Sequence, residues 1–223
     1  MAGFKTIGEV IDSELNGKVR NYVWRKTPSQ ATTAGLWFDT SMSPGKPEPQ
    51  YYIGSILTST LLRQSTDGGL YHGPYVSPSD KYLRRITSMA NVTTALPMNS
   101  ILCDYLMFYP FIDEGSTDEQ FMINSTSLSR YTDGKGVQIM PVITNAGTGG
   151  QQFFVNYTNS DGVSGRISQT VTQNTSTAVG AIMGSNTAIV NASNPFIGLQ
   201  SGDSGVRSIE SVTMLGPDTG LFA

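Results

Sequence analysis

From Leu102 onward the chain breaks into short β-favouring runs separated by turn clusters, and from Arg166 they recur at intervals of roughly 8–12 residues. The runs are 105–109, 137–143, 151–158, 166–173, 178–183, 187–191, 196–200 and 206–215, and the breaks include Gly147-Thr148-Gly149-Gly150, Asn159-Ser160-Asp161-Gly162, Gly184-Ser185-Asn186, Asn194-Pro195 and Ser201-Gly202-Asp203-Ser204-Gly205. Intervals that short leave no room for the crossover helices of a parallel sheet, so the pattern predicts an antiparallel sandwich, and a jelly roll is one arrangement that fits it. The clearest run places Phe153, Val155 and Tyr157 on one face, against Gln152, Phe154 and Asn156 on the other. Pro141 marks the 137–143 run as an edge or a bulge.

Two stretches carry helical spacing instead. Phe4, Ile7, Ile11 and Leu15 recur every three or four residues behind Thr6 and Glu9 at capping-box spacing, and Asn16-Gly17 supplies a stop. Ser77, Pro78 and Asp80 form a second start signal, and Tyr82, Leu83, Ile86, Met89 and Ala90 then line a stripe beside Lys81, Arg84 and Arg85. This second pattern predicts a short helix over 78–90 lying across the sheet, with a basic face that either meets solvent or docks an acidic partner. Before it, Gly35-Leu36-Trp37-Phe38-Asp39 leads into 41–49, where Pro44, Pro47 and Pro49 disfavour both helix and ladder; an extended surface arm is expected, running into Tyr51-Tyr52-Ile53. The expected organisation is an amino-terminal arm and partly packed region over 1–75, then a β-sandwich body over 76–223.

Charge and reactive residues narrow the function classes. Charged residues make up 14% of the 223, Gly numbers 24 and the formal net charge is −3, so solubility rests on uncharged polar groups and nothing favours non-specific nucleic-acid binding. With Cys103 the only cysteine and His72 the only histidine, no intrachain disulfide, Cys-rich zinc cluster or CxxC redox pair can be built. No secretory pattern and no apolar run of about 18 residues is present, so neither export nor a membrane span is expected.

The chemistry-bearing strings point the same way. Gly202-Asp203-Ser204-Gly205 matches the four residues around the nucleophile of trypsin-like serine proteases, and His72 and Asp104 precede it in the right order. Val206 follows where that family has glycine, His72 lacks the family's local pattern, and a Gly/Asp/Ser turn between strands needs no catalytic role; Ser204 is expected to be structural. Asp113, Glu114, Asp118 and Glu119 lack EF-hand spacing and read as a solvated acidic loop. The Asn-x-Ser/Thr triplets at Asn91, Asn124, Asn156, Asn174 and Asn191 follow from composition, and no glycans are expected. No catalytic residue, cofactor or metal site is assigned.

In Gly35-Leu36-Trp37-Phe38-Asp39 with Ser41-Met42-Ser43-Pro44-Gly45, in 151–158 and in 196–209 the chain resembles structural proteins of tailed-bacteriophage virions, especially head-associated minor capsid or decoration proteins. The resemblance is diffuse and spans most of the chain. It implies a sandwich or jelly-roll body whose terminal segment or loops engage the major capsid protein or other virion proteins, at the capsid surface after assembly in the host cytoplasm. A homo-oligomer, no direct nucleic-acid binding and no membrane contact are expected with it. Trp37, Phe38, Tyr51 and Tyr52, with Arg84 and Arg85, are the expected interface residues, the aromatics packing either on a neighbour or on their own body. Two other functions fit the composition: a carbohydrate-binding or host-attachment sandwich using exposed aromatics, and a hydrolase assembled from distant acidic residues.

Overall fold

A computed structural model describes residues 4–28, 36–63, 67–74, 76, 80–91, 99–173, 178–183 and 194–223. The chain forms two compact units: Met1–Trp24 with Leu70–Cys103, and Arg25–Gly69 with Asp104–Ala223.

The larger unit is mainly β, built of several antiparallel sheets. Its strands among the described residues are β1 (Arg25–Lys26), β2 (Gly45–Lys46), β3 (Thr60–Leu61), β4 (Met107–Phe108), β5 (Ile112–Asp113), β6 (Gln120–Phe121), β7 (Ile143–Asn145), β8 (Gln152–Asn159), β9 (Arg166–Ile167), β10 (Val171–Thr172), β11 (Val206–Met214) and β12 (Leu221–Phe222). Only β8 and β11 are long, and they pair with each other. Around them the principal sheet runs β10-β8-β11-β6, with β9 also on β8. A second sheet runs β5-β12-β7, and β1-β2 and β3-β4 are separate ribbons. Among the described residues none of the sheets closes into a barrel.

The sequence pattern explains why β8 holds its place. Its residues alternate between core and surface along the whole strand, with Phe153, Val155 and Tyr157 inward as their spacing predicts. Slipping by one residue would turn this set outward, so burial itself fixes the register. Irregularities in the β8–β11 pairing between Val206 and Ser208 and between Ile209 and Ser211 adjust the register along β11. One core joins both sheets: Phe153, Val155, Val171, Val212 and Met214 come from the first, Ile112, Ile143 and Phe222 from the second. A second cluster gathers Met42, Tyr52, Leu62, Phe108, Val142 and Ile182.

Several expectations need correction. The run 166–173 is split into β9 and β10, the segment 137–143 contributes strand only from Ile143, and 196–200 makes no strand; the run at 187–191 lies outside the described residues. The proline segment is a surface arm only in part: Thr40–Met42 form a 3-10 turn and Ser41, Met42 and Ser43 are buried, while Pro44, Gly45, Lys46 and Glu48 are exposed. Ser77 and Pro78 lie outside the described residues, and 80–90 are not helical. Their apolar stripe meets no core: Leu83 is 64% and Met89 85% exposed. A helix this short is marginal unless a packed face holds it, and here the packed face is missing.

The one α-helix among the described residues, α1 (Ile7–Leu15), is the amino-terminal one. Thr6 caps it by accepting from Glu9 N–H at 3.2 Å, Glu9 Oε2 accepts from Lys5 N–H at 2.6 Å, and Gly17 ends it at φ +65°.

The two central strands generate a first expectation. Phe153→Ala, at a position with no exposed surface, should cost about 3–5 kcal/mol in chemical denaturation. Phe121→Ala, two-thirds exposed on the neighbouring β6, should stay within about 0.5 kcal/mol of the parent.

Candidate functional site

Three of the four aromatic interface residues read from the sequence are engaged within the chain itself. Trp37 is half-buried against the second cluster and Phe38 against the first, and their backbone runs beside 180–182: Ile182 N–H donates to Trp37 O at 3.0 Å and Asp39 N–H to Gly180 O at 2.7 Å. Gly180 is required there, since a Cβ would stand 2.7 Å from the Phe38 ring. Tyr52 is buried, edge-on to Phe108 with ring centres 5.2 Å apart. Its hydroxyl donates to Asp39 Oδ2 at 2.6 Å, and Asp39 also accepts from Ser41 Oγ and Ser41 N–H, both at 2.9 Å. Burial, followed by the Asp39 charge, pushes the Tyr52 phenol well above its ordinary range. Lys26 donates to the carbonyls of Ser41 and Pro47 at 3.2 and 2.7 Å, which pins the proline segment down. Tyr51, by contrast, is exposed.

The Gly-Asp-Ser-Gly turn is organised around its aspartate. Arg166 approaches Asp203 with two nitrogens, at 3.0 and 3.1 Å; Tyr157 O–H donates to it at 2.6 Å and Asn159 Nδ2 at 2.8 Å. The Arg166 guanidinium, followed by the Tyr157 hydroxyl, holds the Asp203 carboxyl down at about 2. The Tyr157 hydroxyl also accepts from Gln200 N–H at 2.8 Å, so one tyrosine ties the core of β8 to both ends of the turn. Ser204 Oγ lies 3.0 Å from Ser160 Oγ, and Asp104 is held by Arg130 through two contacts of 2.7 and 3.2 Å. Ser204 and Asp104 thus each have a polar partner within the larger unit. The polar network of the turn was missed in the sequence, where the string drew the eye to the serine.

The acidic run is also corrected at one position. Asp113, Asp118 and Glu119 are exposed, but Glu114 is buried at 2%. Its carboxyl accepts from Gln173 Nε2 at 2.9 Å, and burial, followed by the Asp218 charge, pushes it up to about 7.

The smaller unit has a different character. Among its described residues only Gly73 is buried, yet it holds more exposed large apolar side chains than the larger unit does; Val23, Met89, Ile7 and Leu15 are each at least 80% exposed. Its ties are polar and few. Tyr22 O–H and Lys81 Nζ donate to the His72 carbonyl at 2.8 and 2.9 Å, Lys81 also reaches the carbonyls of Gly73 and Pro74, and Arg84 pairs with Glu14. Phe4 and Tyr82 form a tilted ring pair at 5.5 Å. Arg84 and Arg85 are both exposed here.

Among the described residues no group of three or more His, Cys, Asp and Glu converges as metal ligands, and no helix is long and apolar enough to cross a membrane. The chain matches no family model, no curated protein and no solved structure.

The Asp203 network has a definite signature in acid. A carboxyl depressed in the folded state contributes stability that is present above its unfolded value, near 4, and is lost as pH falls through about 2. Asp203→Asn removes that contribution, so the stability gap between parent and variant should narrow as urea titrations move from pH 5 towards pH 2. Tyr157→Phe should cost about 1–3 kcal/mol at neutral pH, measured the same way, because it removes a hydrogen bond to a charged acceptor.

Proposed function

We propose that this chain is a non-enzymatic structural protein of a virion, a β-sandwich body that attaches to or stabilises a capsid through protein–protein contacts. The observation that carries the reading is the smaller unit: a folded stretch with almost nothing buried and with its large apolar side chains in water. Exposed apolar side chains in that number favour an interaction site, because leaving them hydrated forgoes about 25 cal/mol for every Å² that a partner would cover. A structural protein of an assembly meets that requirement by placing the segment on its neighbours.

The larger unit supports the same reading. Its two main sheets share one core, which favours a sandwich as the finer architecture, of which a jelly roll is one form. Its reactive groups are committed to structural pairs: Ser204 to Ser160, Asp104 to Arg130 and Asp203 to Arg166. In this reading the partners are further copies of the chain and the major capsid or other virion proteins, and the location is the capsid surface. Trp37 and Phe38 keep the body in shape, while the exposed residues of the smaller unit make the contacts.

Sedimentation of the purified full chain tests the proposal directly. The parent should form oligomers at micromolar concentration, and the pair Val23→Asp and Met89→Asp should shift it to monomer without moving the unfolding midpoint of the β body. Image reconstruction of particles containing the chain should place residues 4–24 against a neighbouring protein. A parent that stays monomeric and is absent from particles would overturn the reading.

A further inference from the structure

A carboxyl group withdrawn from water needs a partner for each oxygen, and Glu114 has one for only half of its pair. Gln173 Nε2 donates to Glu114 Oε2 at 2.9 Å, and Met183 Sδ lies 3.5 Å from the same nitrogen. The two oxygens left over, Glu114 Oε1 and Gln173 Oε1, are both buried without a hydrogen-bond partner. Both residues are at least 97% buried. Two acceptors cannot satisfy each other. One proton on Glu114 Oε1 makes that oxygen a donor, and a carboxylic acid facing a primary amide then closes two hydrogen bonds in a ring.

We propose that Glu114 is held as a neutral carboxylic acid paired head to head with Gln173, and that this single proton works as a pH-operated clasp on the carboxy-terminal strand. The clasp acts through the Glu114 backbone and its neighbours. Glu114 N–H donates to Gly220 O at 3.3 Å, and Asp218 N–H donates to Glu114 O at 2.8 Å. The Asp218 carboxylate accepts from Thr148, Gly149 and Thr219 N–H at 3.0, 2.6 and 2.7 Å, so it is satisfied as an anion and carries the negative charge of the site. Space is tight, since a Cβ on Gly147 would lie 1.6 Å from Thr219 O and 3.0 Å from Glu114 Oε2. The segment so gripped leads straight into β12, which pairs with both β5 and β7 and buries Phe222.

The charged groups facing Glu114 among the described residues are Asp218 from the carboxy-terminal segment, whose carboxylate also lies within hydrogen-bonding reach of the Glu114 carboxyl and favours its proton, and Asp113 from β5. Both are acidic. Gln173 and Met183 complete the surroundings on the other side and are neutral. Losing the proton therefore places a second negative charge beside Asp218 and restores two unpartnered buried oxygens, and the relief available is to let the strand go. The value of about 7 for Glu114 puts this event at neutral pH. Its sign follows: a raised folded value means the contribution is fully present below the unfolded value, near 4.5, and is lost as pH rises through about 7.

Glu114→Gln separates the proton from the geometry, because an amide at 114 keeps the paired ring and cannot titrate. In denaturant titrations the unfolding constant of the parent, taken relative to Glu114→Gln, should rise about tenfold per pH unit from pH 5 until it levels near pH 7. Amide exchange at 221–223 should lose protection above pH 7 in the parent and keep it in the variant, compared at matched intrinsic rates. Infrared difference spectra of the parent should show an acid C=O band at pH 6 that is lost by pH 9, and Gln173→Leu should shift that band to higher wavenumber, a readout that does not require Glu114→Gln to fold. A ratio of unfolding constants independent of pH, or a parent without an acid band at pH 6, would overturn the proposal. So would stabilisation of the parent by added calcium at pH 8 with none in Glu114→Gln, which would assign the orphan oxygens to a cation.

Discussion

The pairing of β8 with β11 is the constraint on which the larger unit depends. These are its two long strands; β6, β9 and β10 reach the principal sheet only by pairing with one of them. They also supply Phe153, Val155, Val212 and Met214 to the core that the second sheet completes from the other side with Ile112, Ile143 and Phe222. The short strands are two or three residues long and have little pairing energy of their own. Their stability is borrowed from this pair and from the apolar surface it buries.

Polar groups finish what burial begins. Three buried or nearly buried carboxyls hold the unit at separate points: Asp39 fastens the proline segment through Tyr52 and Ser41, Asp203 fastens its turn to β8 and Arg166, and Glu114 fastens the carboxy-terminal segment to Gln173. Each uses a different way of meeting the cost of burial. Asp39 is met by hydroxyl and backbone donors, Asp203 by a guanidinium, and Glu114 by a proton. A chain with only 14% charged residues concentrates several of them where the fold has to be pinned.

What was legible in the sequence was whatever short-range pattern decides. The alternation of 151–158 became β8 because burial on one face acts residue by residue, and the 206–215 run became β11 by pairing with it, although its own burial does not alternate strictly. Thr6, Glu9 and Gly17 marked the ends of α1 because capping is local. The 78–90 pattern failed because an amphipathic stripe specifies a helix only when a surface receives it, and periodicity says nothing about that surface. The carboxyls were illegible for a related reason. Glu114 meets Gln173 across 59 positions and Asp203 meets Tyr157 across 46, so neither partner stands in the other's local context. A four-residue match around Ser204 therefore pointed one residue away from the side chain that organises the turn.

The order of the strands along the chain bears on how the protein is made. β8 ends at Asn159, but its central partner begins only at Val206, and the strand that closes the second sheet lies at Leu221–Phe222. At ordinary elongation rates β8 is out for on the order of several seconds before β11 has been synthesised. During that interval β9 and β10 can pair with one edge of β8, but the edge that β11 will take stays open beside the apolar face of Phe153, Val155 and Tyr157, the kind of strand that chaperones shield and that neighbouring copies on the same message can capture. For this fold the vulnerable moment falls between the synthesis of β8 and that of β11, and slowing of the ribosome between the codons for 160 and 206 would lengthen it.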